Sequence, residues 1–418
     1  MPSGVAAAQT RNVALLAACQ ALLFTNNSTL IALNGLAGYA LAPHKSLATV
    51  PVTGWVVGAA ATTFFASLLM KRIGRRAGFT FGAAVGIVGA LICAGALAAG
   101  SFWLFCLGTT VFGVYNAFGQ YYRFAAADVA THDFKARAIS YVVAGGLVGG
   151  IVGPTLSRFT VDLLPTAYLG AYLVLIVFLV AAIVLLRLLE IPPPTAAEAD
   201  ARGRPLAVLA VQPAFVVAVL CAAVSYGVMN LLMTATPLAM GVCGHPYSAA
   251  ALVISSHVVG MFGPSFFTGS LIRRFGVLNV MLAGVLVNLV CIAIALAGIG
   301  IAHFWWSLVL LGVGWNFLFV GATALLTETY HPAEKAAAQG ANDLCIFLVM
   351  VTSSLASGII LETNGWQTLN YAAIPFVLAM GAAILWLWRK GRGSPAAADG
   401  PAPGAQAGPG KDTQWKPG

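Results

Sequence analysis

Twelve stretches, each about twenty residues or longer and almost free of charge, run through the 418-residue chain: 12–40, 47–70, 78–99, 101–127, 134–157, 166–189, 214–240, 247–272, 277–299, 302–327, 335–361 and 366–388. A helix rises about 1.5 Å per residue, so about 20 apolar residues cross the hydrocarbon core of a bilayer. Backbone polar groups find no water there, which leaves helices or closed barrels. Barrel strands alternate apolar and polar residues, whereas these runs are apolar all round. The reading is an all-α polytopic membrane protein of twelve transmembrane helices. Composition agrees: 60% hydrophobic and 8% charged residues, against about 25% charged in soluble domains, exclude a soluble enzyme and, being so apolar, a disordered chain. The first run is too long for a signal core and is expected to stay as a span.

Charge placement sets the expected orientation. With the N-terminus inside, nineteen of the 21 Lys and Arg residues fall in inner segments, and only Lys45 and Arg158 in outer loops. Excess cations mark the cytoplasmic side, so both termini are expected in the cytoplasm. The net charge of +9 is then a matter of topology, and no nucleic-acid partner is expected. Six of the seven cysteines lie within runs, and Cys243 has no second outer cysteine, so no intramolecular disulfide is expected. His44, His245 and His303 with Cys243 lack ligand spacing on one element; neither a metal nor a cofactor is expected.

The halves repeat at an offset of about 200 residues. The segment from Phe64 to Gly74 recurs as Phe266 to Gly276, Phe102-Trp103 as Phe304-Trp305, Asn116 as Asn316, Asp128 as Glu328 and Lys135 as Lys335. The expected organisation is a six-helix bundle over 1–189, a cytoplasmic linker over 190–213 containing Pro192-Pro193-Pro194, a second bundle over 214–390, and a disordered tail over 391–418. Duplicated six-span units are the trace of carriers that rock two bundles about a central site.

With these features the chain resembles the major facilitator superfamily over nearly its whole length. The family's signature between helices 2 and 3, G-x-x-x-D-R/K-x-G-R-R/K, is matched by Gly74, Arg75 and Arg76, with Ser67 at the glycine and Lys71 at the acidic position. The second copy keeps Gly269 and Gly276, again with a cation, Arg273, for the acid. Helix 5 carries Gly149 to Pro154, similar to a Gly-x-x-x-Gly-Pro motif of proton-linked exporters, but Ser157 and Arg158 replace its trailing glycines. The arginine common in the family's helix 4 would fall at Thr109. The chain also resembles bacterial members proposed to import riboflavin, which makes riboflavin a candidate solute and a bacterial inner membrane the expected location. The family implies a monomer whose helices 1, 4, 7 and 10 line the central path.

Polar stripes lie on those same four helices. Gln20, Asn27 and Asn34 recur at spacing seven, with Asn26 beside them; Tyr226, Asn230 and Thr234 at spacing four; Thr109, Gly113, Asn116, Gln120 and Arg123 at 4-3-4-3; and Gly312, Asn316, Thr323 and Thr327 follow on helix 10 with Trp315 adjacent. Asn26, Asn27, Asn116, Asn230 and Asn316 all sit near the middle of their spans. Such amides either glue helices together or line a cavity. The expected substrate-binding set is Asn26, Asn27, Asn34, Tyr115, Asn116, Gln120, Tyr226, Asn230, Trp315 and Asn316, with Phe24 as a further ring. Carboxamides offer paired donors and acceptors and rings offer stacking faces, which suits a small, planar, neutral or weakly charged organic solute.

Asp343 is the one carboxylate well inside a span, and Arg123 is its cationic counterpart. A buried unpaired charge costs several kcal/mol, so each needs a partner. The expected pairs join Asp343 to Lys71 or Arg75 across the halves, and Arg123 to Asp128, Asp133 or Asp343, as an inner gate that opens in the other state. Asp343 and His257 are candidate proton carriers, and protons a candidate coupling ion. Glycines of helix 5 are expected to face Gly260, Gly263 and Pro264 of helix 8.

The leading class is a secondary or facilitative carrier working by alternating access. The alternatives are a proton-coupled efflux antiporter for drugs or metabolites, against which the motif departures weigh, and a non-transporting membrane receptor or sensor. No phosphate loop and no catalytic constellation is visible, so the chain is not expected to be an enzyme.

Overall fold

The computed structural model describes residues 3–44, 47–161, 163–195, 201 and 203–391. Lys45, Arg202 and the tail from 392 onward lie outside the described residues, so the expected disorder of that tail does too. Among the described residues every regular element is helical.

The spans are numbered in chain order. Spans 1 to 3 are Ser3–Leu41, Val50–Ile73 and Arg75–Ala99. Span 4 is built from Phe102–Gly119 and Tyr122–Val129, which meet at a slight break. Spans 5 and 6 are Lys135–Thr160 and Leu169–Arg187, and span 7 is Pro213–Val242. Span 8 is Tyr247–Phe262 followed by Ser265–Phe275, interrupted at Gly263-Pro264 because proline removes a backbone donor. Spans 9 and 10 are Val277–Ala297 and Ile301–Leu326. The last 56 helical residues, Lys335–Lys390, are turned at Gly365 (φ 78°, ψ 179°), which divides them into spans 11 and 12. That backbone conformation is open to glycine and strained for other residues.

The duplication is visible in three dimensions. Span 1 packs on span 5 as span 7 packs on span 11; spans 2 and 3 flank span 4 as spans 8 and 9 flank span 10; span 3 meets span 6 as span 9 meets span 12. The correspondence reaches single dihedrals. Gly74 ends span 2 at φ 87°, ψ 161°, and Gly276 ends span 8 at φ 85°, ψ 152°. Each donates its N–H to the carbonyl four residues back, Met70 at 3.0 Å and Ile272 at 2.8 Å.

Between lipid-embedded helices the drive to associate is close packing, for which small residues are needed. Gly145, Gly149 and Gly153 of span 5 lie against span 1, where a methyl group would strike the Ala17 carbonyl, the Thr25 amide or the Ser28 side chain. The neighbouring Gly146 and Gly150 instead receive Phe262 and Val258 of span 8. This corrects the expected glycine-on-glycine contact. Gly260 faces the Val309 backbone of span 10, and across the halves Gly269 of span 8 lies directly on the Ala136–Arg137 backbone of span 5.

The halves meet mainly through span 2 against span 11 and span 5 against spans 8 and 10. Polar contacts join the two halves on the face that carries the linker: Ser67 to the Ala336 carbonyl (2.7 Å), Arg75 to Gln339 (2.5 Å), Lys335 to Asp128 (3.3 Å), Arg123 to Asp343, and Ser140 with Ser265 and Gly269. That face is closed.

Candidate functional site

A polar chain runs from mid-depth in the first half toward the linker face and crosses to the second half at Arg123 and Asp343. Asn27 of span 1 donates to Asn116 Oδ1 (2.8 Å), and Gln120, one turn along span 4, donates to the same oxygen (3.2 Å). Arg123 donates to the Gln120 backbone carbonyl (2.6 Å) and pairs with Asp343 of span 11. Asn342 donates to that carboxylate at 2.8 Å. Residues 116, 120 and 123 share one helical face, which is why one helix can carry three links of the chain. Asn27 and Asn116 are 5% and 3% exposed, whereas Gln120 is half-buried.

Rings cross the seam between the halves beside this chain. Phe24 of span 1 meets Phe262 of span 8 edge-on at 4.8 Å, and Phe262 meets Trp315 of span 10 at 5.8 Å. Trp315 stacks on Phe319 (4.8 Å, 13°), and the half-buried Tyr226 of span 7 stands edge-on to both. The Arg123 guanidinium lies 4.9 Å from the Phe319 ring and 4.4 Å from Phe124. Where an amide-walled chamber is expected, this state holds rings of the two halves in contact. The contact between spans 1 and 8 at that depth is the Phe24–Phe262 pair. Two concavities of about 430 and 420 Å³ lie elsewhere, beside Leu271 and Phe275 and beside Leu68 and Arg72.

Four members of the expected binding set stand inside a bundle instead. Asn34 accepts a 2.6 Å hydrogen bond from Tyr172 of span 6. Asn26 and Tyr115 are wholly buried, with Tyr115 against Gly86 of span 3. Asn316 is wholly buried and fully bonded, donating to the Met261 carbonyl (2.6 Å) and Ser265 (2.5 Å) and accepting from Thr268 (2.7 Å). It ties span 10 to the break in span 8. A break frees backbone groups and presents hydroxyls, and an amide satisfies them. Asn230 is half-buried and donates to the Met350 carbonyl and Ser353 of span 11. His257 is also buried within its bundle, its Nδ1 2.7 Å from the Leu308 carbonyl.

Of the expected charged pairs, Arg123 with Asp343 forms across the halves, whereas Asp343 meets neither Lys71 nor Arg75 in an ion pair. Arg75 bonds Asp128 (3.2 Å) and Gln339, and Asp128 also takes Lys335. Lys71 lies nearer the linker face than Asp343 and donates to the Ala201 carbonyl of the linker (2.6 Å). Asp133 is exposed beside His132. Glu334, unsuspected from sequence, is 2% exposed and receives the Arg204 side chain twice (2.6 and 2.8 Å) and the backbone amides of Arg204 (2.9 Å) and His331 (3.0 Å). These donors, Arg204 foremost, hold its carboxyl down at about 2, and the same contact raises the Arg204 guanidinium. Phe262, Phe319 and Gln339 were likewise hidden among apolar or surface-like runs. The only local signal for Glu334 is an acid directly before the start of span 11, a favoured place for negative charge.

Comparison with known proteins accounts for this architecture. The family model of the Major Facilitator Superfamily matches residues 16–276 and again 218–417. The riboflavin transporter RfnT of Brucella anthropi is 42% identical over 392 residues, which cover 92% of this chain and 98% of that protein. The uncharacterized MFS-type transporter YddS of Bacillus subtilis is 27% identical, covering 83% of this chain and 84% of that one. Among solved structures, the transporter FucP in its outward conformation superposes with a TM-score of 0.73 at 15% identity, covering 90% of this chain and 98% of that chain. Two six-span bundles, a seam lined from both halves and a family match running through each half place this chain in the major facilitator superfamily, as a membrane transporter.

Proposed function

We propose that this chain takes up riboflavin, or a solute of the same planar and weakly charged kind, by alternating access at the seam. The observation that carries the reading is the 42% identity to a riboflavin transporter through 98% of that protein's length. The seam chemistry supports it. Asn27, Asn116 and Gln120 supply the paired donors and acceptors that an imide-like ring edge requires, and Phe24, Tyr226 and Trp315 supply faces for a flat ring system. Asn230 completes the proposed lining from the second half. The ring contact in the middle of the seam then acts as the floor on which solute arrives from the side opposite the linker.

Arg123 with Asp343, and Arg75 with Asp128 and Lys335, form the proposed gate on the linker side, which the excess of Lys and Arg assigns to the cytoplasm. The protein is taken to work as a monomer in a bacterial inner membrane. Counterflow of radiolabelled riboflavin into proteoliposomes, with and without a pH gradient, tests the reading. Exchange that unlabelled riboflavin accelerates supports it, and a dependence on the gradient assigns proton coupling. Neither exchange nor binding of riboflavin by folded protein would overturn it.

A further inference from the structure

The described residues of the linker bond to both halves. At its start, Asn12 and the Glu190 backbone exchange two hydrogen bonds (2.8 and 3.0 Å), and Arg11 pairs with the Glu190 carboxylate (2.8 Å). Pro193 and Pro194 cover Gly74, at the end of span 2. Lys71 grips the Ala201 carbonyl, and three residues later Arg204 enters the four-donor site on Glu334, directly before span 11. Gly203 lies so close to the Glu334 side chain that a methyl group there would collide with it.

Lys71 belongs to the first half and Glu334 to the second, and both flank the cross-half contacts Arg75 to Gln339 and Lys335 to Asp128. Three residues of extended chain reach about 10–11 Å. The stretch from Ala201 to Arg204 is therefore a short tether between the halves. Separating the bundles on this face must break one of its two ends. The ends are unequal: one is a single lysine–carbonyl bond, the other a bidentate charge pair with two further amide donors, the stronger kind of contact.

We propose that the linker is a latch on the closed linker face, anchored to the second half through Arg204 and Glu334 and released at Lys71 when that face opens. Its effect is to favour the state closed on the linker side, independently of which solute is carried. The lysine at the position where the family signature has an acid is thereby given a role: a carboxylate there would repel the Ala201 carbonyl, whereas an ammonium binds it. Glu334 remains ionised well below neutral pH, so the anchor is permanent under ordinary conditions.

The proposal rests on the rocking of the two halves but not on the identity of the solute. Spin labels at Arg76→Cys and Glu328→Cys, both exposed on this face, read the distance between the halves once the seven native cysteines are replaced. Arg204→Ala and Lys71→Ala are each expected to raise the ratio of long to short distances about five-fold or more, the low end of coupling between sites. Combining Arg204→Ala with Glu334→Gln is expected to add nothing to Arg204→Ala alone, and the swap Arg204→Glu with Glu334→Arg to restore short distances in part. Unchanged distances in folded Arg204→Ala and Lys71→Ala protein, while the unsubstituted linker samples both distances, overturn the latch. A single distance in every variant and with every solute overturns the rocking of the halves itself.

Discussion

Asn116 and Asn316 occupy equivalent positions in the repeat, yet one lies in the polar chain that leads to the linker face and the other is locked to the break in span 8. The two amides therefore make different predictions. Asn116→Ala and Asn27→Ala are expected to reduce riboflavin uptake about tenfold, the loss of about 1.4 kcal/mol of solute contact, with a smaller fall in melting temperature than Asn316→Ala because each removes fewer buried hydrogen bonds. Asn316→Ala should lower the melting temperature, because the Met261 carbonyl and two hydroxyls lose their partner in a dry interior. Uptake assays and thermal melts on purified protein separate the two outcomes. Arg123 and Asp343 invite a second comparison. Arg123→Met leaves a buried carboxylate without its cation, at a cost of about 3–5 kcal/mol, whereas Arg123→Met with Asp343→Leu removes both charges and should melt closer to the unsubstituted protein. A double variant no more stable than Arg123→Met alone would argue against a direct pair. Glu334 gives a pH dependence with a definite sign. Its carboxyl titrates near 2 when folded and near 4.5 when free, so its stabilising contact is whole above about pH 4.5 and is lost as pH falls through about 2. Melting between pH 5 and 8 should show no step that Glu334→Gln removes.

At the scale of helices, number and order are legible in the sequence because a bilayer demands long apolar runs and little else. Breaks and faces are less so. The interruption of span 8 at Gly263-Pro264 has a local signal, but the direction each glycine of span 5 faces does not. Gly145 and Gly146 are adjacent, equally small, and turned about 100° apart by helix geometry, so only the packing of the neighbours tells them apart. The difference is testable. Gly145→Val would drive a side chain into the Ala17 carbonyl of span 1, inside its own bundle, and is expected to reduce folded yield. Gly150→Val would meet only the end of the Val258 side chain across the seam. It should fold, and should shift the protein away from the state closed on the linker side, as read by faster alkylation of cysteines placed on that face. The candidate site was legible to the same partial degree: period and polarity select Asn27, Asn116, Gln120 and Tyr226, but the same period also selects Asn34, which faces span 6 and bonds Tyr172.

For the whole molecule, closure on one face is carried by contacts between residues more than a hundred positions apart, such as Arg123 with Asp343, Ser67 with Ala336 and Ser140 with Ser265. No periodicity within a helix encodes which partner each will take. That is why the charges at the gate can be named from sequence while Arg123, Lys71 and Arg75 all remain open as partners of Asp343, and why Glu334 goes unseen until Arg204 is folded against it. The closed face also bears on transport as a cycle. If solute leaves by parting spans 2 and 11, then holding those spans together must stop turnover at one step and leave entry from the other side intact. Thiols placed by Ser67→Cys and Ala336→Cys, in a background lacking the native cysteines, stand where a 2.7 Å hydrogen bond joins the helices. A short bifunctional thiol reagent is expected to abolish riboflavin counterflow almost completely while riboflavin binding from the side opposite the linker persists within about two-fold, since the cross-link leaves the proposed binding residues untouched. A reagent long enough to span the opened face should leave counterflow largely intact. Equal inhibition by short and long reagents would mean that the cross-link acts by blocking the helices chemically, and that release does not require them to part.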